Sequence, residues 1–177
     1  MMNIRLALET DLNTIQTVVE TAFSDEENKV ISNFVSDLAK ETTNPSIKSL
    51  IAEIDNQVIG YVSYSPIFFK SDTATSGYIL APLAVSPKHQ KQGIGSNLIK
   101  FGIEMLTNDG VGILLVYGDP DYYGRFGFKE EIGRSFVPPY PLEHPFGWTG
   151  MMLNGTAVPN TPIKFECVEA LSKPDLW

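Results

Sequence analysis

Residues Gln90 to Ser96 combine two features that let a backbone bind an anion, namely small residues and the start of a helix. The run reads Gln-Lys-Gln-Gly-Ile-Gly-Ser, and the glycines at 93 and 95 allow a ligand to approach the main chain closely. An apolar stretch precedes the run and a helical pattern follows it. The first N–H groups of a helix have no partner within the helix, and the helix dipole places partial positive charge there. The sequence therefore predicts an anion site at this turn.

The distribution of charge also favours a small anion at this loop. The chain has 13 Lys and Arg against 21 Asp and Glu, a formal net charge of −8. Residues 73–103 nevertheless contain no Asp or Glu, and they carry Lys88, Lys91 and Lys100. A buried strand and helix that lack charged residues would give the same gap. Because so acidic a chain repels a phosphate backbone, we expect no nucleic acid partner.

Two nucleotide-binding motifs are excluded by the residues that they require. A P-loop has Lys and then Ser or Thr directly after its last glycine, whereas Ser96 and Asn97 follow Gly95 here. The dinucleotide motif Gly-x-Gly-x-x-Gly needs a third glycine at the position of Leu98. The predicted anion site is therefore neither of these loops.

A second motif, Tyr-Tyr-Gly-Arg-Phe-Gly-Phe, occupies residues 122–128 after the next apolar stretch. Asp119 before Pro120 is typical of a helix N-cap followed by proline at the first helical position. Gly127 suits the left-handed residue that ends a short helix. The sequence thus predicts a strand, a short helix and an aromatic turn in this order.

The two motifs together resemble the GNAT N-acetyltransferase superfamily. The run Gln90 to Gly95 matches its acetyl-CoA signature, which is Gln or Arg, two variable residues, Gly, a variable residue, and Gly or Ala. Residues 122–128 resemble its aromatic-Tyr-x-x-hydrophobic-Gly-Phe element, and residues 118–128 look like the YhbS-like branch of predicted N-acetyltransferases. Arg5 and Asp11 lie where the superfamily has its first strand and helix. The resemblance covers about residues 3–130.

The resemblance implies a fold and a cosubstrate. The implied fold class is α+β (α/β mixed sheet), a GNAT-like acyl-CoA N-acyltransferase fold with a central, mostly antiparallel sheet that is splayed at the cofactor site and flanked by helices. The implied cosubstrate is acetyl-CoA as acetyl donor, and no metal is implied. Loop amides would bind the pyrophosphate, and the implied cofactor-binding residues are Leu83, Ala84, Val85, Gln90, Lys91, Gln92, Gly93, Ile94, Gly95, Ser96 and Tyr123.

The resemblance also suggests catalytic roles. Tyr123 falls where many members carry a tyrosine near the thioester sulfur, and a phenol there can protonate the leaving thiolate; packing under the sheet is the structural alternative. The general base is less clear, because the strand from Tyr78 to Val85 has no carboxylate. Glu26 and Glu27 are candidates since that region borders the acceptor site in the family. Asp119 and a water chain are further alternatives.

Other reactive side chains have ordinary structural explanations. His89 lies within the loop and is expected at the surface, although it could donate to a phosphate. His144 lies in the aromatic run 143–148, which could line an acceptor pocket. Cys167 is the one cysteine, so an intramolecular disulfide and a zinc site of several thiolates are excluded. We expect Cys167 to be a buried, unreactive thiol in a strand.

Apolar spacing predicts the elements that position these residues. Strands are expected over residues 3–7, 49–54, 58–64, 78–85, 111–117, 136–137, 149–153 and 163–168. One helix is expected from Thr10 or Asp11 to Phe23, and another from a capping box of Ser24 and Glu27 to Asn44-Pro45. The third runs from Gly93 to Leu106. Residues 70–76 predict a loop, and Pro82 predicts a bulge or splay in its strand.

The composition bounds the class of protein. The chain has 177 residues, 43% hydrophobic and 19% charged, which is typical of a soluble globular domain and excludes a wholly disordered chain. The sequence has neither an 18-residue apolar run nor a signal-peptide pattern, so we expect a cytoplasmic location. We expect one domain over residues 1–177, in which residues 131–177 contribute to the acceptor site or to a dimer.

These observations predict an N-acetyltransferase that transfers an acetyl group from acetyl-CoA to a primary amine by direct attack in a ternary complex. The acceptor is a small molecule or a peptide, and a homodimer is a further expectation. The alternative is a non-catalytic domain that binds acyl-CoA and acts as a sensor or interaction module.

Overall fold

The computed structural model describes residues 1–70 and 75–177. Residues 71–74 belong to the predicted loop 70–76 and lie outside the described residues. Strands over the described residues are β1 (Met2–Leu6), β2 (Lys48–Ile54), β3 (Gln57–Phe69), β4 (Gly77–Val85), β5 (Ile113–Tyr117), β6 (Phe136–Val137), β7 (Trp148–Met152) and β8 (Ile163–Cys167).

The helices of the described chain are α1 (Leu12–Ala22), α2 (Asn28–Lys40), α3 (Ile94–Asn108), α4 (Pro120–Gly124) and α5 (Glu130–Gly133). Short 3-10 turns occupy Glu9–Asp11, Pro87–His89, Pro145–Gly147, Glu169–Leu171 and Pro174–Leu176.

The strands form a mixed sheet in the order β1-β2-β3-β4-β5-β7, with β8 beside β3 and β6 beside β8. Antiparallel pairs join β1 to β2, β2 to β3, β3 to β8 and β5 to β7. Parallel pairs join β4 to β5 and β6 to β8. β4 pairs with β5 over Gly77 to Leu80. β4 itself continues past Pro82 to Val85. The predicted mixed, mostly antiparallel sheet flanked by helices is confirmed.

The second helix differs from its prediction because Ser24 and Glu27 form the turn before it. The Ser24 hydroxyl donates to Glu27 Oε2 at 3.0 Å, and the Ser24 carbonyl accepts from the N–H groups of Glu27 and Asn28. The helix therefore begins at Asn28, and it ends at Lys40 because Glu41 is extended. The sequence pattern also missed α5, whose four residues are too few to show a helical period.

The described chain forms two compact units, and the first comprises residues 1–64 and 82–102. In this unit α1 and α2 pack on one face of the strands, with Val19, Val35, Ile51, Tyr61 and Ala84 in one buried cluster. Neighbouring strand residues point to opposite faces, so Gly60 faces away from this cluster and contacts Ile94 and Leu98 of α3. The first unit therefore has helices on both faces.

The second unit comprises residues 65–81 and 103–177. Its core includes Trp148, whose indole N–H donates to the Phe136 carbonyl at 2.8 Å and whose ring stacks on Phe165 at 6.0 Å between centroids. The expectation of one domain stays a prediction. In the described part of the chain, none of the helices has both the length and the apolar character that a membrane crossing requires.

Candidate active site

The loop between β4 and α3 is held by its own glutamines and by β3. The Ser86 N–H donates to the Ile59 carbonyl at 2.8 Å, which ties the start of the loop to β3. The Gln90 side chain donates from Nε2 to the Val85 carbonyl at 3.0 Å. The Gln92 side chain donates from Nε2 to the Lys88 carbonyl at 3.2 Å. Gln90 of the signature and Gln92 at a variable position therefore both shape the loop.

The backbone of this loop contains two left-handed residues. Lys91 has a φ of 61° and Gly93 has a φ of 80°. The first turn of α3 is closed by the Asn97 N–H, which donates to the Gly93 carbonyl at 2.9 Å. The N–H groups of residues 94–96 precede that bond, so the helix itself does not use them. A Cβ built on Gly93 meets no atom within 4 Å, so the space above this turn is open.

Two glycines and a tyrosine fix the position of α3 on the sheet. A Cβ at Gly60 would stand 3.0 Å from Ile94 Cγ2 and 3.0 Å from Leu98 Cδ1. A Cβ at Gly102 would overlap the Tyr64 ring, whose hydroxyl donates to the Leu98 carbonyl at 3.2 Å. The N-terminus of α3 is thus held against β3 by close packing, which keeps its amides in a fixed place.

The side chains around the loop supply positive charge and one unpaired nitrogen. Lys88, Lys91 and Lys100 are all exposed. His89 is half-buried, and its Nδ1 is a buried atom with no hydrogen-bond partner. A ligand at the loop would therefore meet backbone N–H groups and exposed ammonium groups, which suits a phosphate.

Three residues that the resemblance implies as cofactor-binding, Leu83, Ala84 and Val85, occupy the last three positions of β4, directly before the loop. Ala84 is 3% exposed and belongs to the cluster under α1 and α2. Leu83 and Val85 are half-buried, and Pro82 is buried. The first unit thus holds residues 83–85 and the complete loop in one continuous segment.

Tyr123 belongs to the second unit, where the strand β5 leads through Gly118 into α4. The Asp119 side chain accepts from the Asp121 N–H at 2.9 Å and caps the helix, as the sequence predicts. A Cβ at Gly118 would stand 2.6 Å from Tyr123 Cε2, so only glycine allows the ring to lie there. Gly127 has a positive φ of 101°, as expected, but it does not end the helix, because α4 ends at Gly124.

The Tyr123 ring lies edge-on between two other aromatic rings. Its centroid is 5.1 Å from that of Tyr122 and 5.8 Å from that of Phe128. Burial raises the pKa of Tyr123 far above its usual value, and the nearby Tyr122 and Asp119 raise it further. The phenol therefore keeps its proton at neutral pH. It can act as a hydrogen-bond or proton donor but not as a base.

Tyr122 and Phe126 serve mainly as a platform for Arg125. The guanidinium carbon lies 4.6 Å from the Tyr122 ring centroid and 5.6 Å from that of Phe126. Its Nε donates to the Tyr122 carbonyl at 3.3 Å. These contacts stabilise the aromatic turn and give Tyr122 a packing role.

The carboxylates considered as bases have different surroundings. Glu26 and Glu27 are exposed in the turn before α2, where Glu27 accepts from Ser24. Asp119 is occupied as a helix cap. The structure thus gives Glu26 the least constrained carboxylate of the three.

His144 and Cys167 are two further residues singled out from the sequence. His144 is exposed, and its backbone N–H donates to the Tyr117 hydroxyl at 3.0 Å. Cys167 is a free, half-buried cysteine in β8, and burial raises the pKa of its thiol to about 12.

Over residues 1–70 and 75–177, no cluster of three or more His, Cys, Asp or Glu could hold a metal ion.

Arg5 and Asp11 stand out in the sequence only by resemblance, and in the structure they form an ion pair. Arg5 Nη1 lies 2.7 Å from Asp11 Oδ2 and Nη2 lies 3.1 Å from Oδ1, while Nη2 also pairs with Glu53 at 3.2 Å.

Reasoning from the sequence missed a cluster of hydroxyls formed by Ser49, Tyr61 and Ser63. No spacing signal could have found it, because β2 and β3 bring these residues together only in the folded sheet.

Comparison with known proteins gives consistent matches. A model of the acetyltransferase (GNAT) family matches residues 12–128. The uncharacterized N-acetyltransferase YjhQ of Escherichia coli K12 is 34% identical over 158 residues, which cover 86% of this chain and 84% of YjhQ. The uncharacterized N-acetyltransferase YhbS of the same strain is 32% identical over 130 residues, 72% of this chain and 74% of YhbS.

Two solved structures extend the similarity over nearly the whole fold. The crystal structure of Escherichia coli YhbS in complex with CoA aligns with 97% of this chain and 92% of that chain, at 26% identity and a TM-score of 0.78. A GNAT acetyltransferase from Brucella melitensis in complex with acetyl-CoA aligns with 96% of this chain and 97% of that chain, at 27% identity and a TM-score of 0.68. The expected resemblance to the YhbS-like branch is confirmed, and the chain belongs to the GNAT acetyltransferase family.

Proposed function

We propose that this protein transfers an acetyl group from acetyl-CoA to a primary amine of a small molecule or a peptide, by direct attack in a ternary complex. The observation that carries the proposal is the loop before α3. Left-handed Lys91 and Gly93 leave open space over amides that the helix does not use. Relatives whose structures contain CoA or acetyl-CoA support the choice of cosubstrate.

The loop is proposed to bind the pyrophosphate of acetyl-CoA. The amides of residues 93–96 would donate to its oxygens, and Gln90 and Gln92 would hold the loop in shape. Lys88, Lys91 and Lys100 are candidates for contact with the 3′-phosphate. A side chain at Gly93 or Gly95 would stand between the ligand and these amides.

The acyl transfer needs a base, an oxyanion site and a proton for sulfur. An alkylammonium ion has a pKa near roughly 10, so the acceptor must lose a proton before its lone pair attacks the carbonyl carbon. We assign that proton to Glu26 or Glu27. The backbone of Leu83, Ala84 and Val85 would stabilise the negative charge that develops on the carbonyl oxygen.

Tyr123 is proposed to act at the leaving thiolate. As the C–N bond forms and the C–S bond breaks, the phenol would donate to sulfur. The attacking ammonium group gives up two protons. The first goes to Glu26 or Glu27 before attack and from there to solvent, and the second leaves the nitrogen once the C–N bond has formed and restores the phenol, whose pKa is raised. The products are the acetylated amine, CoA with a protonated thiol and one released proton, so atoms and charge balance.

Calorimetric titration of the purified protein with acetyl-CoA, with dephospho-CoA as control, tests the proposal. We expect saturable binding, and weaker binding of dephospho-CoA if a lysine contacts the 3′-phosphate. A screen of amines with detection of the released thiol then tests catalysis. Absence of binding by folded protein would refute the cosubstrate, and binding without thiol release from any amine would contradict the transfer. The cytoplasmic location and the homodimer stay predictions.

A further inference from the structure

A cavity of about 620 Å³ lies in the first unit, between β1, the first turn of α1, the end of α2 and the start of β2. We call it the α1–α2 cavity. Its floor includes Tyr61 of β3, which points to the face covered by α1 and α2. We call the loop over residues 86–96 the anion loop. It leads into α3, which packs over Gly60 on the opposite face. None of residues 86–96 lines the cavity.

Apolar residues make up more than half of the lining of the α1–α2 cavity. They include Leu12 and Ile15 of α1 and Val35 and Leu38 of α2. At the rim Leu6 is 52% exposed and Leu8 is 61% exposed. The volume falls within the range of about 300–1,000 Å³ that is typical of small-molecule sites. Exposed leucines beside an apolar cavity favour an apolar ligand, which would cover them.

Two hydroxyls, those of Ser49 and Tyr61, lie at the floor of the cavity, and Ser63 lies behind them. The Tyr61 side chain is 2% exposed, and its hydroxyl lies 3.4 Å from Ser49 Oγ, which in turn lies 3.1 Å from Ser63 Oγ. Each hydroxyl has one hydrogen and two lone pairs, so even if every hydrogen is shared within the cluster, half of its lone pairs stay unused. The cluster can therefore accept a hydrogen bond from a ligand.

Charges around the cavity are balanced. Its lining includes Glu9 and Glu41 as acids and Lys40 and Lys48 as bases, so their formal charges cancel. A site with no net charge gives no reason to bind a cation or an anion. Burial of an unpaired charge among the leucines would be unfavourable.

The rim is held in place before any ligand arrives. The Leu8 N–H donates to Asp11 Oδ2 at 2.7 Å, and Arg5 Nη1 donates to the Leu6 carbonyl at 3.1 Å. The ion pair of Arg5 and Asp11 links the two contacts. A preformed rim lowers the entropy that binding would otherwise lose.

We infer that the α1–α2 cavity binds a neutral, mostly apolar small molecule with one O–H or N–H donor directed at the hydroxyls of Ser49 and Tyr61, which Ser63 supports from behind. The juxtaposition of exposed leucines, balanced charges and a buried acceptor cluster defines this chemistry. The site is separate from the anion loop, so the inference goes beyond the proposed function and does not depend on it.

Methyl NMR of the full chain, with Ile, Leu and Val methyls labelled, tests the inference. The probes are cyclohexylmethanol, cyclohexanecarboxylate and cyclohexylmethylamine, which share a ring and differ in charge. We expect the alcohol to shift the methyls of Leu12 and Leu38 saturably, without shifting those of Ile94 or Leu98. The two charged probes should bind at least about tenfold more weakly. Absence of shifts with the alcohol, or equal binding of a charged probe, would overturn the inference.

Two variants of α2 locate the binding. Ala39 lines the cavity and is exposed, so the ring of Ala39→Phe should fill the space and abolish the shifts. Asn33→Phe adds the same ring to an exposed position of α2 outside the lining and should leave the affinity unchanged. Equal loss of binding in both variants would contradict the location.

A third variant tests the hydroxyl cluster. Tyr61→Phe removes one hydroxyl and should weaken binding of the alcohol about fivefold. If Ala39→Phe does not fold, Tyr61→Phe still decides: unchanged affinity for the alcohol would contradict the role of the cluster.

Discussion

Gly60 of β3 lies directly beneath Leu98 of α3, so close that a Cβ at residue 60 would stand 3.0 Å from Leu98 Cδ1. The same Cβ would stand 3.0 Å from Ile94 Cγ2, in the first turn of the helix. The absence of a side chain at residue 60 thus sets the height of α3 above the sheet. It also sets the position of the amides that are proposed to bind pyrophosphate.

Replacement of Gly60 should therefore disturb both stability and the loop. We expect Gly60→Val to lower the free energy of unfolding by about 1–3 kcal/mol, because the added methyls must displace Ile94 and Leu98. Affinity for acetyl-CoA should fall as well. Chemical denaturation and calorimetry measure the two effects. Gly124→Val is the control for stability, since a Cβ at Gly124 meets no atom within 4 Å. Equal stability of the two variants would contradict the packing argument.

A side chain at Gly93 should block the anion site without a new contact inside the protein. Gly93 has a φ of 80° and open space around its missing Cβ, and Gly110 after α3 has a φ of 78° and the same open space. Valine at either position carries a similar backbone strain. We expect Gly93→Val to weaken acetyl-CoA binding at least about tenfold and Gly110→Val to leave it unchanged, by calorimetry. Similar losses in both variants would indicate strain alone and would refute the loop assignment.

Removal of the Tyr123 hydroxyl should affect turnover and not binding. A positioned proton donor contributes on the order of a hundredfold to rate, so Tyr123→Phe should lower kcat by about that factor with acetyl-CoA affinity nearly unchanged. Tyr122→Phe, which alters the adjacent ring in the same way, should keep its turnover. Because the pKa of Tyr123 is raised, the wild-type rate should not fall through loss of its proton between pH 7 and about 10. Unaltered turnover in Tyr123→Phe would remove this residue from the mechanism.

Asp11 should stabilise the protein most at neutral pH. Hydrogen bonds from Arg5 hold the pKa of Asp11 below its usual value, and the Leu8 N–H contributes further. A lowered pKa means that the stabilisation is present above about pH 4 and is lost as the pH falls through the folded-state pKa.

We expect Asp11→Asn to reduce the free energy of unfolding by about 1–2 kcal/mol at pH 7, since Arg5 is partly exposed and solvent screens the pair. The difference between variant and wild type should shrink as the pH is lowered below about 4. Asp25→Asn, in an exposed turn, should show no such trend in urea denaturation. A difference that stays constant with pH would mean that the carboxylate charge is not the cause.

Cys167 should react slowly with thiol reagents in the native protein. Burial raises the pKa of its thiol to about 12, so at pH 8 it carries on the order of a thousandfold less thiolate than an ordinary cysteine. We expect Ellman's reagent to modify Cys167 far more slowly in native protein than in urea. Cys167→Ser should show no reaction, because the chain has one cysteine. Native and unfolded rates that agree would show that the thiol is accessible.

The order of elements and the strand, turn and helix around residues 90–96 could be predicted because their signals are local. Gln90 to Ser96 are consecutive, and the glycines, the helix start and the preceding strand all lie within a few residues. The N-cap at Asp119 and the left-handed Gly127 could also be predicted, since both depend on their immediate neighbours.

Features that depend on pairing between strands could not be predicted in this way. Nothing in the sequence marks Ser49, Tyr61 and Ser63 as neighbours, because the register of β2 and β3 alone brings them together. The predicted start of α2 is wrong, since the Ser24 and Glu27 side chains satisfy each other in the turn instead of capping the helix. The extension of β3 to Phe69 rests on its pairing with β8, almost one hundred residues later in the chain.

The two compact units interleave along the chain, and this limits how the protein can be divided. The first unit takes residues 1–64 and 82–102, and the second takes residues 65–81 and 103–177. A fragment that ends at residue 102 retains the whole first unit but only residues 65–81 of the second. A fragment that starts at residue 103 lacks the strand that β5 pairs with over Gly77 to Leu80. A single cut therefore cannot release either unit intact. If a split-protein reporter or a truncation library cuts the chain between residues 86 and 102, β4 stays on the N-terminal fragment and the C-terminal fragment lacks the strand that pairs with β5.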